Sequence, residues 1–237
     1  MVAESHIEIC HNRIENYFML GGFFGADGGA MEIDNEFIAK SDIEIHHNYS
    51  RNNEGFLEII NGDFQNFRIH HNISEDYQEF IFFWGGRDCL IENNTVLCTQ
   101  PQNSRVRVVF SFHADSMAVV RNNIFVVSSG LQVFSGENVY EAFHYNQLHY
   151  NNLYYCLDGS QTDPIGKTCG KGEIIADPLF VDFTKRDLHL TAGSPAVDTG
   201  TYIETTTDFD GHPLPFGKNF DMGAYEYVGK LFTAPAK

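Results

Sequence analysis

Apolar and polar residues alternate in short runs along most of this chain, and run after run closes on asparagine. "IEICHN" ends at Asn12, "IEIHHN" at Asn48, "FRIHHN" at Asn72 and "LIENN" at Asn94, with "VVRNN" at Asn123 and "LHYNN" at Asn152. Successive asparagines are 36, 24, 22, 29 and 29 residues apart. Self-similarity at this spacing points to a solenoid. Five and three residues before the asparagine the positions are mostly apolar: Ile7 and Ile9, Ile43 and Ile45, Phe67 and Ile69, Cys89 and Ile91. Four and two residues before it they are mostly polar: Glu8, Glu44 and Arg68, then His46, His70, Glu92 and Arg121. A period of two is a strand with one buried face. No sustained helical period competes with it, and Ile, Val, Phe and Tyr suit a pleated surface. One strand and one polar turn per repeat predict an all-β parallel β-helix, its strands pairing with the coils above and below.

Asparagine fits the turn of each coil because it tolerates unusual backbone angles and its amide can hydrogen-bond along a column. Asn48, Asn72, Asn94, Asn123 and Asn152 are therefore expected to stack, with Ile45, Ile69, Ile91 and Val120 in a second column inside. The sequons at Asn48, Asn72 and Asn93 fall on this ladder and are read as architecture. The pairs Cys10–His11, His46–His47 and His70–His71 occupy adjacent columns and invite a metal such as zinc or copper. No third ligand recurs at fixed spacing, so they are read as a polar ladder at the turn and no metal is assigned.

Residues 1–156 are expected to form coils, with a Gly-rich excursion over 19–31 and a second over 98–106. Residues 157–237 are expected to form a loop, the last strands and a capping region. In that second part "DPLFVD", "DLHLTAGSPAVDTG", "DFDGHPLP" and "FDMGAYEY" are similar to the terminal region of bacterial right-handed parallel β-helix proteins. The coils resemble the pectate-lyase-like superfamily, and "GGAMEID" with "DIEIHHNYSRNNEGFLEI" is similar to its carbohydrate-active members. The resemblance implies a right-handed parallel β-helix acting on a polysaccharide or oligosaccharide, in a secreted or cell-surface setting. It leaves the chemistry open, since such folds host lyases, hydrolases, epimerases and adhesins.

Charge narrows the partners. Thirty-two acidic residues against 15 basic ones give a formal net charge of −17, which argues against nucleic acid and anionic membrane surfaces. No signal peptide or membrane span is apparent near "MVAESHIEI", and no membrane insertion is expected. A β-helix that starts this abruptly exposes the edge of its first coil. The expectation is that an N-terminal part is missing or that another subunit, in a homo-oligomer, covers it. The five cysteines lack metal-site spacing. Cys10 and Cys89 fall in strands, whereas Cys156 and Cys169 flank a Gly- and Asp-rich loop and are a candidate disulfide. The acids Asp208, Asp210 and Asp221 are read as turn and cap residues rather than calcium ligands.

Candidate chemistry lies on one outward strip. Alternation points Met31 and Ile33 inward and Glu32 outward, then Leu57 and Ile59 inward and Glu58 outward. Glu58 is ten residues after Asn48; Phe82 and Trp84 are ten and twelve after Asn72. Glu32 and Glu58 should thus stack on neighbouring coils, with Asp34 one step along. Like charges in register are unfavourable, so their placement calls for a cause. Paired carboxylates suit glycoside hydrolysis, in which one protonates the leaving oxygen and the other attacks or activates water. Phe82 and Trp84 would stack on sugar rings, and Arg107 and Gln132 would contact hydroxyls or a carboxylate. No cofactor is needed. An alternative is β-elimination on a uronate, with Arg68, Arg87, Arg105 or Arg107 and calcium on Glu32, Asp34 and Glu58 neutralising the substrate. A third is a non-catalytic carbohydrate-binding or adhesin module.

Overall fold

The alternation read from the sequence becomes three parallel sheets wound into one solenoid. The computed structural model describes residues 5–17, 29–34, 40–60, 64–77, 79–83, 86–99, 109–112, 116–134, 148–159, 163–166 and 168–229. The first sheet stacks Ser5–Cys10, Lys40–His46, Phe64–His70, Gly86–Glu92, Ser116–Arg121 and Leu148–Tyr150. The second stacks Arg13–Glu15, Tyr49–Arg51, Ile73–Glu75, Thr95–Cys98, Ile124–Val127, Leu153–Cys156 and Ile174–Ile175. The third stacks Met31–Asp34, Leu57–Ile60, Ile81–Phe83 and Phe110–Phe112. Among the described residues the one helical element is a 3-10 turn, Phe183–Lys185.

The corner between the first two sheets is where the asparagines stack. Asn12 Nδ2 donates to Asn48 Oδ1 at 2.9 Å, Asn48 to Asn72 at 3.0 Å and Asn72 to Asn94 at 3.0 Å. Asn94 continues to Asn123 at 2.9 Å and Asn123 to Asn152 at 3.0 Å. Each Oδ1 also accepts the backbone N–H of the asparagine one coil back, as Asn94 does from Asn72. From Asn48 onward each Nδ2 also donates to the carbonyl of the inner apolar column, as Asn94 does to Ile69. From Asn48 to Asn152 the ladder residues are fully buried, so this saturation is what a water-free corner demands.

The ladder stops on Glu173. Its carboxylate accepts from Asn152 Nδ2 at 3.1 Å, His149 Nδ1 at 2.8 Å and the Tyr154 hydroxyl at 2.6 Å. Burial pushes this carboxyl up, but the hydrogen bonds from His149, Tyr154 and the Gly170 N–H outweigh it and hold the group below its ordinary value.

One detail of the turn differs from the expectation. The unusual backbone angle belongs not to the ladder asparagine but to the residue before it. His11, His47, His71, Asn93, Asn122 and Asn151 are left-handed, with φ between 49° and 56°. That residue makes the bend, which turns the following amide inward.

The interior follows the two-residue period. Ile45, Ile69, Ile91 and Val120 pair level with one another and are each at most 2% exposed. Phenylalanines fill the far side: Phe56 stacks on Phe80 at 4.8 Å and Phe110 on Phe134 at 5.5 Å between ring centroids. Asn48, Asn72 and Asn93 are buried, which leaves no room for a glycan on the three sequons.

The C-terminal segment does more than close the last coil. It runs back over the outside of the second sheet, where Leu188, Leu190, Ala196, Met222 and Ala224 bury Ile73, Leu97, Ile124, Val126 and Leu153. The left-handed column fastens it. His47 bonds the Asp208 carbonyl, Asn93 Nδ2 the carbonyls of Asp221 and Gly223, Asn122 that of Thr201 and Asn151 that of Thr199. The acids read as turn residues act as such. Asp208 accepts the N–H groups of Asp210, His212 and Glu226, and Asp221 those of Asp198 and Tyr227. Asp210 instead meets His189 Nε2 at 2.8 Å. The cysteines are all free. Cys156 Sγ contacts Asp158 at 3.2 Å, whereas Cys169 is exposed beside Gly170 and Glu173, so the candidate disulfide is not formed.

These contacts set the expected cost of disturbing a coil. Ile69→Asp places an unpaired charge in a position 1% exposed and should abolish cooperative thermal unfolding. Asn72→Ala strands the Asn48 N–H and the Ile45 carbonyl. At about 1–3 kcal/mol for each buried group left unpaired, it should lower stability by on the order of 3 kcal/mol in a urea titration. An unchanged urea midpoint for Asn72→Ala would show that the column does not hold the coils together.

Candidate functional site

The third sheet carries the strip expected from the sequence. Glu32 pairs level with Glu58 and Glu58 with Phe82, between the inward pairs Met31–Leu57–Ile81 and Ile33–Ile59–Phe83. Ile33, Leu57, Ile59, Ile81 and Phe83 are buried, which sends the alternate residues outward. Glu32 and Asp34 are exposed, and Glu58 and Phe82 half-buried. Ser111 follows Phe82 in the same row. Backbone neighbours in such a row are about 4.8 Å apart, so the two glutamates face one ligand-sized stretch of surface. Asp34 is level with Ile60 and two residues beyond Glu32 on the same face.

The remaining predicted contacts divide. Trp84, Arg105 and Arg107 lie outside the described residues. Gln132 does not join the carboxylate row. Backbone bonds from Val109 and Phe110 to Gln132 and Val133 set Phe134 level with Phe110 and Ile81, and Gln132 precedes that level by two residues. Its side chain reaches the Asp163 carbonyl at 3.4 Å. Arg68 and Arg87 belong to the first sheet, not to the strip. Arg68 is engaged there by Glu92 at 2.9 Å, Glu44 at 3.4 Å and the Thr205 hydroxyl at 2.8 Å.

A second polar feature was not expected. Between the first sheet and residues 204–211 runs a groove of about 510 Å³, lined by His11, Glu44, His46, Arg68 and His70. Its floor is a double imidazole ladder. His46 stacks on His70 at 4.9 Å with planes 1° apart, and His47 on His71 at 5.3 Å. Within each coil the Nδ1 atoms meet, His46 with His47 at 2.8 Å and His70 with His71 at 3.0 Å. The hydrogen bonds assign the tautomers. His70 Nε2 donates to Glu44 at 2.8 Å, so its Nδ1 accepts from His71 Nδ1–H. The remaining His71 Nε2 is a buried lone pair without a partner, which costs less than a buried N–H in that position.

Burial, ahead of the opposing bond to Glu44, lowers His70 to about 4. The hydrogen bond from His70 holds Glu44 down at about 2. Burial also keeps His71 well below the usual imidazole range. His70 and His71 are thus neutral rings beside an ionised Glu44 carboxylate. The histidine pairs were visible in the sequence. The other wall was not, because Thr205 stands 137 residues from the Arg68 it touches.

These shifts give the groove an acid limit. Folded His70 sits below its unfolded value, so the folded chain binds fewer protons and stability falls as pH drops from about 6.5 through 4. Glu44, also lowered, adds a loss from about 4.5 downward. Urea midpoints measured between pH 7 and 4 should therefore depend less on pH in His70→Gln than in the unaltered protein. Equal slopes would mean that folding leaves the titration of this ring unchanged.

Neither a scan against protein-family models nor a search of curated proteins finds a match to this chain.

Proposed function

We propose that the protein is a polysaccharide-active enzyme that hydrolyses glycosidic bonds at the Glu32–Glu58 row of the third sheet. The observation that carries this reading is the level pairing of two outward glutamates. Like charges side by side on adjacent strands are destabilising, and a solvated sheet face gains nothing from them. A glycan laid along the row, across successive coils, would meet both carboxyls and then the Phe82 ring. The resemblance of the coil segments to carbohydrate-active β-helix proteins supports the same substrate class. A polysaccharide substrate fits a secreted or cell-surface setting.

Hydrolysis is preferred to elimination because Met31–Asp34, Leu57–Ile60, Ile81–Phe83 and Phe110–Phe112 contain no Arg or Lys. Within these strands a uronate carboxylate would meet acidic rather than basic side chains. One glutamic acid protonates the leaving oxygen while the other, as carboxylate, attacks the anomeric carbon; water, deprotonated by the first, then attacks that carbon and displaces the carboxylate. Adjacent-strand spacing near 4.8 Å is closer to the roughly 5–5.5 Å separation of retaining enzymes than to the wider gap of inverting ones. The product is therefore expected to keep its anomeric configuration.

A panel of neutral and uronate-containing glycans, with and without a chelator, tests the reading. New reducing ends without near-ultraviolet absorbance are expected, unaffected by chelation. Glu32→Gln and Glu58→Gln should each cut the rate by about 10²–10⁴ while still binding the glycan. Absorbance of an unsaturated sugar would replace hydrolysis by elimination. Binding without cleavage would make the row a recognition surface, and full activity in both variants would move the chemistry elsewhere.

A further inference from the structure

The imidazole ladder begins in a cluster that stacking alone does not account for. Cys10 ends the first strand of the first sheet, and His46 lies level with it on the next strand. His11 is the left-handed residue that follows Cys10. One ligand atom from each of Cys10, His11 and His46 lies within 4.8 Å of the other two. Glu8, two residues before Cys10 on the same face, places Oε1 2.9 Å from His46 Nε2. Cys10 and His46 are partly exposed and His11 is exposed, so an ion can reach them from solvent.

The tautomers add a second observation. His47 Nε2 lies 2.9 Å from the Asp208 carbonyl, which can only accept, so Nε2 carries a hydrogen. The His47 ring is buried between other imidazoles and stays neutral, leaving Nδ1 as an acceptor. His46 must then donate from Nδ1 across their 2.8 Å contact. His46 Nε2 and the Glu8 carboxylate oxygen, 2.9 Å apart, are then joined either by a second proton on the ring or by a metal ion. The neighbouring coil shows the contrast: there His70 Nε2 donates to Glu44, and the relay ends neutral without further help.

We infer that Glu8, Cys10, His11 and His46 form a binding site for a divalent transition metal that prefers thiolate and imidazole, with zinc the best fit. One sulfur, two imidazole nitrogens and a carboxylate oxygen are the donors zinc takes, usually as a tetrahedron. Calcium and magnesium, which select oxygen, are excluded by the donor set. Bonds of about 2.0–2.3 Å put the edges of such a tetrahedron at about 3.3–3.6 Å. The ligand atoms therefore need to close by roughly 1 Å, within reach of side-chain rotation on a partly exposed surface.

Three ligands come from the first coil and one from the second, so the metal would staple these coils together. They are loosely joined otherwise: Ile7 and Ile9 are only partly buried, whereas Ile43 and Ile45 are at most 1% exposed. The site is independent of the hydrolase reading, since it lies on a different sheet.

Cobalt(II) serves as the spectroscopic probe on the full chain. One equivalent should bind, with a near-ultraviolet thiolate-to-cobalt band and the visible bands of a tetrahedral ion, and zinc should displace it. Cys10→Ser should abolish the near-ultraviolet band, and His46→Gln should weaken binding at least about tenfold. Cys169→Ser, which removes the other exposed thiol, should change neither. Alkylation followed by mass spectrometry provides a reading without substitution: zinc should protect Cys10 and leave Cys169 reactive. Absence of a thiolate band, its loss in Cys169→Ser rather than Cys10→Ser, or equal alkylation of Cys10 with and without zinc would overturn the proposal. In those cases the cation between His46 and Glu8 is a proton.

Discussion

Everything in this molecule hangs on the need to satisfy a buried amide at every coil. An asparagine sealed inside a corner has two donors and an acceptor to place, and water cannot reach them. The solution is a column in which each amide is completed by the coil before it and the coil after it. Such a column has no slack. If one coil were shifted along its strand by a single residue, an amide would leave the column and an isoleucine would leave the core. The ladder therefore fixes the register of all three sheets, and with it which outward residues become neighbours. The level pairing of Glu32 with Glu58 and that of Cys10 with His46 are both consequences of the asparagine column.

The same corner has an outer side, and the chain uses it differently. The left-handed residue before each ladder asparagine points away from the core, and its side chain presents hydrogen-bonding groups at regular intervals. Asparagines at 93, 122 and 151 use them to grip backbone of the C-terminal segment. Histidines occupy this column in the first three coils, and only His47 reaches the segment through a ring nitrogen. The column is amide in the later coils and imidazole in the first three, of which His11 and His47 border the groove while His71 is as buried as Asn93.

How much of this was legible in the sequence depends on whether a feature repeats. The fold was, because strand alternation and the asparagine column recur in each coil and can be counted. The carboxylate row was legible for the same reason: Glu58 and Phe82 are each ten residues past their ladder asparagine. Gln132 was misplaced because the coils after Phe83 differ in length, so counting from Asn123 no longer lands on the row. The groove was hidden because residues 204–211 follow no repeat and return to the first coils from the far end of the chain. The metal cluster was hidden for a subtler reason. The Cys10–His11 and histidine pairs suggested ligands from two adjacent columns with no third recurring, whereas the register adds Glu8 from a third column. Only the register reveals that diagonal.

Charge placement ties the two outer faces to one principle. On the first sheet, carboxylates and cations alternate across coils: Arg68 bridges Glu44 and Glu92, and Arg121 meets Glu92 at 2.7 Å. Glu92 is completely buried there, so its charge requires both arginines. Two of the few cations of a chain with net charge −17 are thus committed to carboxylates of the first sheet. The third sheet, which no described part of that segment covers, places acids level with acids and has no basic residue in its strands. Such a face repels anions and gives little purchase to a charged polymer, but it suits a neutral chain of hydroxyl groups, which can donate hydrogen bonds to carboxylates and stack on an aromatic ring. On the proposed reading, the substrate that fits this open face is an uncharged glycan.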